Sequence, residues 1–338
     1  MATINKRYGE QYIATASPST GYRFVKWTGT GVDTTANPAT LTCLGDNTIE
    51  AIFERLQYTL TVGVSPANSG NIFFDEDIFD GDIKYKATAN LSSANNWLSN
   101  NTDQNRNTWN STTGIGHLYL NAGVTDFTRM FNNLSALQEV NFAKLDKNAI
   151  DNSNGICSYC RNLTKVRLPY MCQVVPYGGF AYCTSLVEVT NTEYVYWLKT
   201  NAFAYCSALQ QIDLPTAMKL QDYCFERAGL TSINLPSLQE TSRGDGDTDT
   251  TVGCFYNCTA LQRVEIGSHL PSIAIGVFSE CTSLSTVICH TTYHVPLLLS
   301  DNFTANNNDT LYVEPSMVSA YQADSAWSSA FTTITAIQ

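Results

Sequence analysis

Cysteine and histidine are the residues of this sequence that could bind a transition metal or act as nucleophiles. Cys157 and Cys160 form a C-x-x-C pair, and Cys289, His290 and His294 lie within one six-residue stretch. A structural zinc ion needs four nitrogen or sulfur ligands, and one C-x-x-C supplies half of them. No second C-x-x-C exists, and no carboxylate lies near the two histidines. We therefore interpret these residues as structural rather than metal-binding or redox-active.

Clustered carboxylates are the second feature with possible chemistry, because Ca²⁺ prefers several oxygen ligands. Residues 74–82 carry five acidic side chains, and Asp245, Asp247 and Asp249 lie in a stretch rich in Gly and Thr. Neither stretch has the D-x-D-x-D-G loop with its closing glutamate. The sequence therefore predicts no firm metal site. The three aspartates are the better calcium candidates, and a plain flexible loop is the alternative.

The sequence lacks the short motifs of common enzyme classes. It has no G-x-S-x-G, no G-x-x-x-x-G-K-[ST] and no H-E-x-x-H. These motifs position a serine nucleophile, a phosphate-binding loop and a pair of zinc ligands. We therefore expect no catalytic residues, no cofactor and no enzymatic activity, with a glycan-active enzyme as the remote alternative.

The candidate residues belong to a repeated unit that reads F-x-x-C-x-x-L-x-x-I-x-L. Its core period is 23 residues, a length typical of stacked-repeat architectures. One unit is a residue short after Phe225, and another carries an insertion over residues 237–252. The leucine position is occupied by Leu137, Leu163, Leu186, Leu209, Leu230, Leu261 and Leu284.

The repeat register also accounts for the cysteines. Equivalent positions of a solenoid stack on one another, so a repeated cysteine faces its counterpart in the next coil. We therefore predict a ladder of small, buried, reduced thiols rather than a set of disulfides. The cysteines three residues after the Phe-type position are Cys160, Cys183, Cys206, Cys258 and Cys281.

The repeated unit resembles the BspA-like branch of leucine-rich repeats over residues 127–310. The resemblance implies a solenoid whose L-x-x-I-x-L segments form short parallel strands. It also implies a surface protein, since such repeats occur on gut and oral bacteria and in related mobile elements. Near the N-terminus, G-Y-x-F-x-x-W from Gly21 and the closing A-I-F-E from Ala51 resemble the divergent internalin-type B-repeat.

Taken together, these patterns predict a mainly β fold. A short β-rich N-terminal region precedes a leucine-rich-repeat solenoid with a C-terminal cap. The predicted domains are a divergent B-repeat-like β domain (1–56), a β-rich linker or capping module (57–125), the solenoid (126–310) and the cap (311–338). The asparagine-rich connection around residues 95–107 is expected to be an irregular loop.

Charge and hydropathy narrow the possible partners. Nineteen basic and 30 acidic residues give a net charge of −11, which disfavours nucleic acid and anionic membranes. No run of 18 apolar residues is present, so we expect a chain that is not membrane-embedded. The N-terminus lacks the apolar core of a signal peptide. Either a signal was removed, or the protein leaves the cytoplasm by another route.

Recognition is then expected at outward positions that do not repeat. The segment 192–197 is unusually rich in aromatic residues. If it is exposed, its rings could contact a sugar or a protein. If it is buried, the rings fill the interior of the coil, and this is the alternative that we favour. The polar strand row could also be merely solvated. The candidate ligand-binding residues are Lys165, Arg167, Glu188, Gln211, Asp213, Arg263 and Glu265 on the strands, with Tyr194, Tyr196 and Trp197 beside them.

The sequence thus predicts a non-enzymatic surface or extracellular protein that adheres to a host or bacterial surface protein or glycan. The alternative is a bacteriophage virion protein for decoration or host recognition, motivated by the start without a signal and by the unpaired cysteines. The oligomeric state stays open.

The cysteine register makes a prediction that can be tested directly. Because the thiols are expected to be buried and reduced, nearly all 11 cysteines should titrate as free thiols in denaturant without reductant. Several disulfides in the same titration would contradict the ladder.

Overall fold

The computed structural model divides into two compact units, residues 1–75 and 76–338. It describes residues 11–14, 22–29, 32–36, 39–42, 49–55, 82–241, 253–303 and 310–338. The acidic residues of 75–81 and the calcium candidates Asp245, Asp247 and Asp249 lie outside these ranges. The expectation for them therefore stays a prediction.

The N-terminal unit is built from antiparallel strands. The first and fourth strands pair with each other, and the second lies between the third and the fifth. A β-bulge between Phe24 and Lys26 interrupts the pairing of the second strand with the fifth. The strands are Gln11–Ala14 (β1), Tyr22–Gly29 (β2), Val32–Thr34 (β3), Ala39–Thr42 (β4) and Ile49–Arg55 (β5).

The second unit begins with Ile83–Ala87 (β6), Asn96–Asn101 (α1), Thr108–Trp109 (β7) and Ile115–Leu118 (β8). The asparagine-rich connection was predicted to be an irregular loop. This prediction is wrong for Asn96–Asn101, which form the helix α1. The Asn95 side chain accepts a hydrogen bond from the Leu98 N–H and caps the helix, a role that short polar side chains perform well. Leu98 is fully buried beneath it.

The solenoid strands that follow are short. In chain order they are Leu137–Asn141 (β9), Lys165–Arg167 (β10), Val174–Val175 (β11), Glu188–Thr190 (β12), Trp197–Leu198 (β13), Lys219–Leu220 (β14), Ser232–Leu235 (β15), Glu240–Thr241 (β16), Arg263–Ile266 (β17), Ser272–Ile273 (β18), Thr286–Cys289 (β19) and Leu297–Leu298 (β20).

Each coil contributes to three faces. The strand face carries the predicted L-x-x-I-x-L segments, in a six-stranded sheet ordered β12-β10-β9-β6-β8-β7 and in a second sheet that starts β15-β17-β19. The short-strand face carries the parallel sheets β11-β13-β14-β16 and β18-β20. The turn face carries the F-x-x-C turns. Because β6 pairs with β9, the strands before the repeats continue directly into the solenoid sheet.

The strand face is interrupted in the middle of the solenoid. Residues 209–214 match the repeat, and Ile212 and Leu214 are buried, yet this segment forms no strand. The next unit is the shortened one. Gly229 allows the backbone of this unit to approach the backbone of the preceding unit at Ser207. A Cβ at Gly229 would lie 2.1 Å from the Ser207 carbonyl oxygen, so only glycine fits there.

A ladder of phenylalanine rings runs through the coils behind the turn face. The rings are buried and nearly parallel, and successive centroids lie 5.4–5.6 Å apart, within the range of favourable stacking. The ladder consists of Phe180, Phe203, Phe225, Phe255, Phe278 and Phe303.

The repeated cysteine links each coil to the preceding one. Its thiol donates a weak hydrogen bond to the carbonyl at the Phe-type position one unit earlier. The bonds run from Cys160 to Phe131 (2.7 Å), Cys183 to Cys157 (3.1 Å), Cys206 to Phe180 (3.2 Å), Cys258 to Phe225 (2.9 Å) and Cys281 to Phe255 (3.1 Å). All ten cysteines in the described residues are buried and unpaired, as the register predicted.

The residue before each repeated cysteine, or its replacement, has a left-handed backbone. Its φ lies between 52° and 62° in every described unit. Non-glycine residues seldom adopt this region, and at best at a modest cost. The residues are Asn133, Tyr159, Tyr182, Tyr205, Arg227, Asn257 and Glu280.

The last coil is closed by Thr310–Val313 (β21), a 3₁₀ turn Pro315–Met317, Val318–Ala323 (α2), Ser325–Ala330 (α3) and Thr333–Ala336 (β22). Strand β22 pairs in parallel with β21, which completes the second strand-face sheet. The buried Trp327 donates its indole N–H to the Pro296 carbonyl at 2.8 Å. The predicted mainly β fold, with a repeat solenoid and a terminal cap, is confirmed. The predicted domain boundaries stay a proposal.

Phe203→Ala should destabilise the solenoid strongly, because the buried ring stacks on a neighbour in each direction. We expect a loss of about 3–5 kcal/mol in the free energy of unfolding, measured by denaturant titration. The exposed Gln210→Ala in the same unit should change it by less than about 0.5 kcal/mol. Equal stability of the two variants would rule out the ring ladder as a main source of cohesion.

Candidate functional site

The outer side of the strand face carries a row of alternating charges. Strand pairing aligns Lys86 with Glu139, Glu139 with Lys165, and Lys165 with Glu188. Lys86 and Glu139 form an ion pair of 2.9 Å, and Lys165 and Glu188 one of 3.4 Å. Both pairs are partly exposed, so each contributes little to stability. The predicted candidates Lys165 and Glu188 therefore lie together on one surface.

A second row on the same side contains no carboxylate from Lys84 to Thr190. Pairing aligns Lys84, Asn141, Arg167 and Thr190 in sequence. Arg167 was expected to be solvent-exposed, but the residue is only 5% exposed. Its neighbours on the adjacent strands, Asn141 and Thr190, are buried as well, and an arginine can bury its long stem along such a surface.

Gln211 and Asp213 are exposed, as predicted, but they lie in the interruption of the strand face. They are therefore not aligned by strand pairing with the residues of β12. Arg263 and Glu265 lie beyond the interruption, on β17, and form an ion pair of 2.7 Å. The structure thus divides the predicted polar row into separate groups.

His290 lies between two carboxylates from different coils. Its Nδ1 is 2.9 Å from Glu314 Oε1, and its Nε2 is 3.0 Å from Glu265 Oε1. A neutral imidazole has one N–H, whereas the imidazolium can donate to both carboxylates at once. The arrangement therefore favours the charged ring.

The pKa values of this group shift accordingly. Partial burial opposes the charged imidazole, but the hydrogen bonds to Glu314 and Glu265 outweigh burial and raise the pKa of His290. Partial burial likewise opposes ionised Glu265, yet hydrogen bonds from His290 and Arg263 lower the pKa of that carboxyl. The sequence pointed to His290 as a possible zinc ligand and gave no sign of these partners.

Each of the three residues considered for a zinc site has other surroundings in the structure. The Nε2 of His294 is 3.1 Å from the Leu270 carbonyl, while His290 lies between its carboxylates and Cys289 is buried. Within the described residues, no three His, Cys, Asp or Glu side chains are grouped so that they could hold a metal ion. The cysteines are also poor nucleophiles, because burial raises the pKa of Cys160 to about 12.

The short-strand face presents an exposed aromatic patch. Tyr170 is 63% exposed, Tyr194 46% and Tyr196 38%, whereas burial of the segment 192–197 was favoured from the sequence. The buried positions of this segment are instead filled by Val195 and Leu198. We define the aromatic patch as Tyr170, Met171, Tyr194, Tyr196, Trp197 and Met218.

Strands β11, β13 and β14 hold the aromatic patch in place. Trp197 is aligned with Lys219 of the next coil, and the Tyr196 carbonyl accepts the Met218 N–H at 2.9 Å. The ammonium groups of Lys199 and Lys219 lie 5.2 and 5.4 Å from the centre of the Trp197 ring, a favourable cation–π geometry. The patch is therefore a rigid surface spread over neighbouring coils.

The turn face carries a further aromatic group, which the sequence analysis did not single out. Tyr159, Tyr182 and Tyr205 stack with centroid separations of 4.5 and 4.3 Å. The Arg227 guanidinium extends the stack at 5.3 Å from the Tyr205 ring. The stack could have been predicted from the sequence, because tyrosine occupies the same repeat position in three successive units.

The repeat geometry agrees with a comparison against known families. Residues 151–245 and 248–321 match the BspA type leucine rich repeat region, in six copies. The chain belongs to this BspA-type leucine-rich-repeat family. Residues 3–57 match the divergent InlB B-repeat domain. Both resemblances seen in the sequence are thereby confirmed.

Two solved structures are similar to this BspA-type chain. One is a leucine-rich repeat protein from Bacteroides ovatus ATCC 8483, with 16% identity and a TM-score of 0.34, covering 54% of this chain and 53% of that protein. The other is a leucine rich cell surface protein from Faecalibacterium prausnitzii A2-165, with 15% identity and a TM-score of 0.26, covering 66% of this chain and 84% of that protein. The chain thus spans about half the length of the Bacteroides protein.

A search of curated proteins found no match. None of the similar proteins supports the alternative of a phage virion protein. In the part of the chain that the structure describes, no helix combines the length and apolarity needed to cross a bilayer.

The histidine between two carboxylates predicts a pH-dependent stability. A histidine with a raised folded-state pKa stabilises the fold below its unfolded pKa of about 6.5 and loses this contribution as pH rises through the folded value. The melting temperature should therefore fall more between about pH 6 and pH 9 in the natural protein than in His290→Gln.

The exposed His269, which contacts the Ser268 hydroxyl, provides the control. His269→Gln should keep the full pH dependence of the natural protein. Identical pH profiles for the natural protein and His290→Gln would contradict the assignment.

Proposed function

We propose that this chain is a non-enzymatic binding protein of the cell surface or extracellular space, which adheres to a surface protein of a host or bacterial cell through the aromatic patch. Family membership supports a role in binding, because solenoid repeats commonly present extended recognition surfaces. The observation that carries the proposal is the exposure of Tyr170, Tyr194 and Tyr196 on one rigid face.

The composition of the aromatic patch fits a protein interface. Tyrosine and tryptophan dominate the binding energy of protein interfaces, because they bury much area with little loss of side-chain freedom. Met171 and Met218 add flexible apolar surface that adapts to a partner. The ion pair of Lys219 and Glu240, at 3.0 Å, lies beside them and supplies the polar rim typical of such interfaces.

A glycan is the second candidate ligand, since Tyr170 and Tyr194 present exposed rings. These rings meet edge to face with centroids 6.4 Å apart, so they do not form one flat platform. The Trp197 ring already has Lys199 and Lys219 near its face. These two features favour a protein partner over a sugar that needs an open ring face.

The proposal of a non-enzymatic role rests on the chemistry of the surfaces. The buried cysteines have raised pKa values, and His290 is held between two carboxylates rather than beside a nucleophile. A catalytic site requires a nucleophile and base within hydrogen-bond reach in a cleft. A screen of glycoside substrates that detected turnover would contradict this part of the proposal.

Tyr194→Ala should weaken adhesion at least tenfold, about 1.4 kcal/mol or more, because it removes a central exposed ring of the aromatic patch. The measurement is a titration of fluorescently labelled protein onto bacterial and epithelial cells. Tyr293→Ala removes a tyrosine outside the patch that is even more exposed, at 65% against 46% for Tyr194, and should bind like the natural protein.

The class of partner follows from pretreatment of the cells. Protease treatment should abolish binding, whereas periodate oxidation of cell-surface sugars should leave it unchanged. Loss of binding after periodate alone would favour the glycan instead. If Tyr194→Ala bound the cells with the affinity of the natural protein, the aromatic patch would not be the recognition surface.

A further inference from the structure

A cavity of about 460 Å³ lies on the turn face, among residues of four consecutive units. Its volume falls in the range of about 300–1,000 Å³ that is usual for small-molecule sites. Its lining includes two tyrosine rings, two carboxylates, a glycine and an isoleucine. These residues are Tyr223, Tyr256, Glu280, Asp301, Gly276 and Ile275.

Glycines at one repeat position contribute to this cavity. The position lies two residues before the ladder phenylalanine, and its backbone is left-handed at Tyr223, Gly276 and Asp301, with φ between 54° and 66°. The unit that follows Tyr223 has Gly253 there, and a Cβ at Gly253 would lie 1.6 Å from the Gly276 carbonyl oxygen. The contact between these two coils therefore requires glycine. No side chain projects from this position in the two middle units, which leaves space between Tyr223 and Asp301.

The aromatic part of the lining suits a cation. Tyr223 and Tyr256 come from adjacent units, with ring centroids 6.3 Å apart and ring planes inclined at 80°. Rings at this angle form a corner rather than one flat platform. A cation within about 6 Å of a ring centroid is attracted by the negative face of the ring. The corner therefore fits a compact positive group better than a flat neutral ligand.

The charged part of the lining is acidic. Glu280 and Asp301 are exposed carboxylates, and no basic residue is among the described residues that line the cavity. Arg227, a cation on the same face, lies against the Tyr205 ring instead. The net charge of −11 adds a field that attracts cations to the protein. The cavity thus combines ring faces with charged hydrogen-bond acceptors.

We propose that this cavity binds a small organic ammonium ion, the protonated form of an alkyl amine. The ammonium donates hydrogen bonds to Glu280 and Asp301, while the carbon chain lies against the tyrosine rings and Ile275. A calcium ion would need several oxygen ligands and would gain nothing from the isoleucine. The aromatic and apolar surface therefore favours an amine over an inorganic cation.

The cavity and the aromatic patch belong to different faces of the solenoid, so each proposal can fail without the other. Tyr194→Ala should leave the binding of the amine unchanged. Glu280→Gln should likewise leave adhesion to cells unchanged. An effect on one ligand and none on the other therefore assigns each surface separately.

The test is calorimetric titration of the full chain with diaminobutane and with butanediol, its neutral analogue of equal chain length. The diamine should bind, the diol should bind at least tenfold more weakly, and added salt should weaken the diamine. Glu280→Gln and Asp301→Asn should each reduce the affinity for the diamine about tenfold, as expected for loss of a charged hydrogen bond. Both variants keep the size of the side chain, and asparagine tolerates the left-handed backbone.

Matched variants separate local recognition from the general field of the acidic chain. Glu193→Gln removes the same charge from an exposed residue outside the lining and should bind like the natural protein. Tyr256→Leu should weaken the diamine several-fold through loss of the cation–π contact, whereas Tyr256→Phe, which keeps the ring, should retain the affinity. Equal binding of diamine and diol, natural affinity in both carboxylate variants, or an equal loss in Glu193→Gln overturns the site.

Competition distinguishes the possible cations. Calcium that displaces the diamine at lower concentration, and whose affinity is unchanged in Tyr256→Leu, overturns the assignment to an organic ligand. A lysine-containing tripeptide that binds more tightly than the diamine overturns the assignment to a small free amine. Tetramethylammonium cannot donate hydrogen bonds and should bind more weakly than the diamine. Tighter binding of tetramethylammonium would contradict the role of the two carboxylates as hydrogen-bond acceptors.

Discussion

The structure depends on the contact between consecutive turns of the F-x-x-C segment. Each phenylalanine ring needs the ring of the next coil to cover its face, and each thiol needs the carbonyl of the preceding coil. A single coil satisfies neither requirement, so stability arises only in the stack. The first and last coils must therefore be covered, which strands β6–β8 and the terminal helices accomplish.

The periodic part of this arrangement could be predicted, because identical positions in a stack have identical surroundings. The spacing of Phe203, Cys206 and Leu209 from their counterparts was sufficient to infer the solenoid and the buried thiols. The short-strand face could not be inferred, since a two-residue strand such as β13 leaves no alternating pattern. The loss of the strand over residues 209–214 was equally hidden, because pairing depends on both neighbouring coils and one of them is short.

The candidate surfaces were only partly predictable for a related reason. Alternation along a strand tells which side chain points outward, but its exposure depends on the lengths of side chains in adjacent strands. Arg167 is outward and yet covered, whereas Tyr194 and Tyr196 are exposed beside buried Val195. The partners of His290 come from two other coils, and no local spacing connects them.

The left-handed residue that precedes the cysteine position of each turn constrains how this surface can diversify. Its backbone is the same in every described unit, yet it carries asparagine, tyrosine, arginine or glutamate. Residues branched at Cβ are disfavoured in this conformation, whereas polar, aromatic and charged side chains are all accommodated. The turn face therefore presents side chains from regularly spaced backbone positions, and the type of side chain can differ from unit to unit while the backbone of the coil stays the same. Such a protein can acquire new specificities by single substitutions there, at little risk to folding.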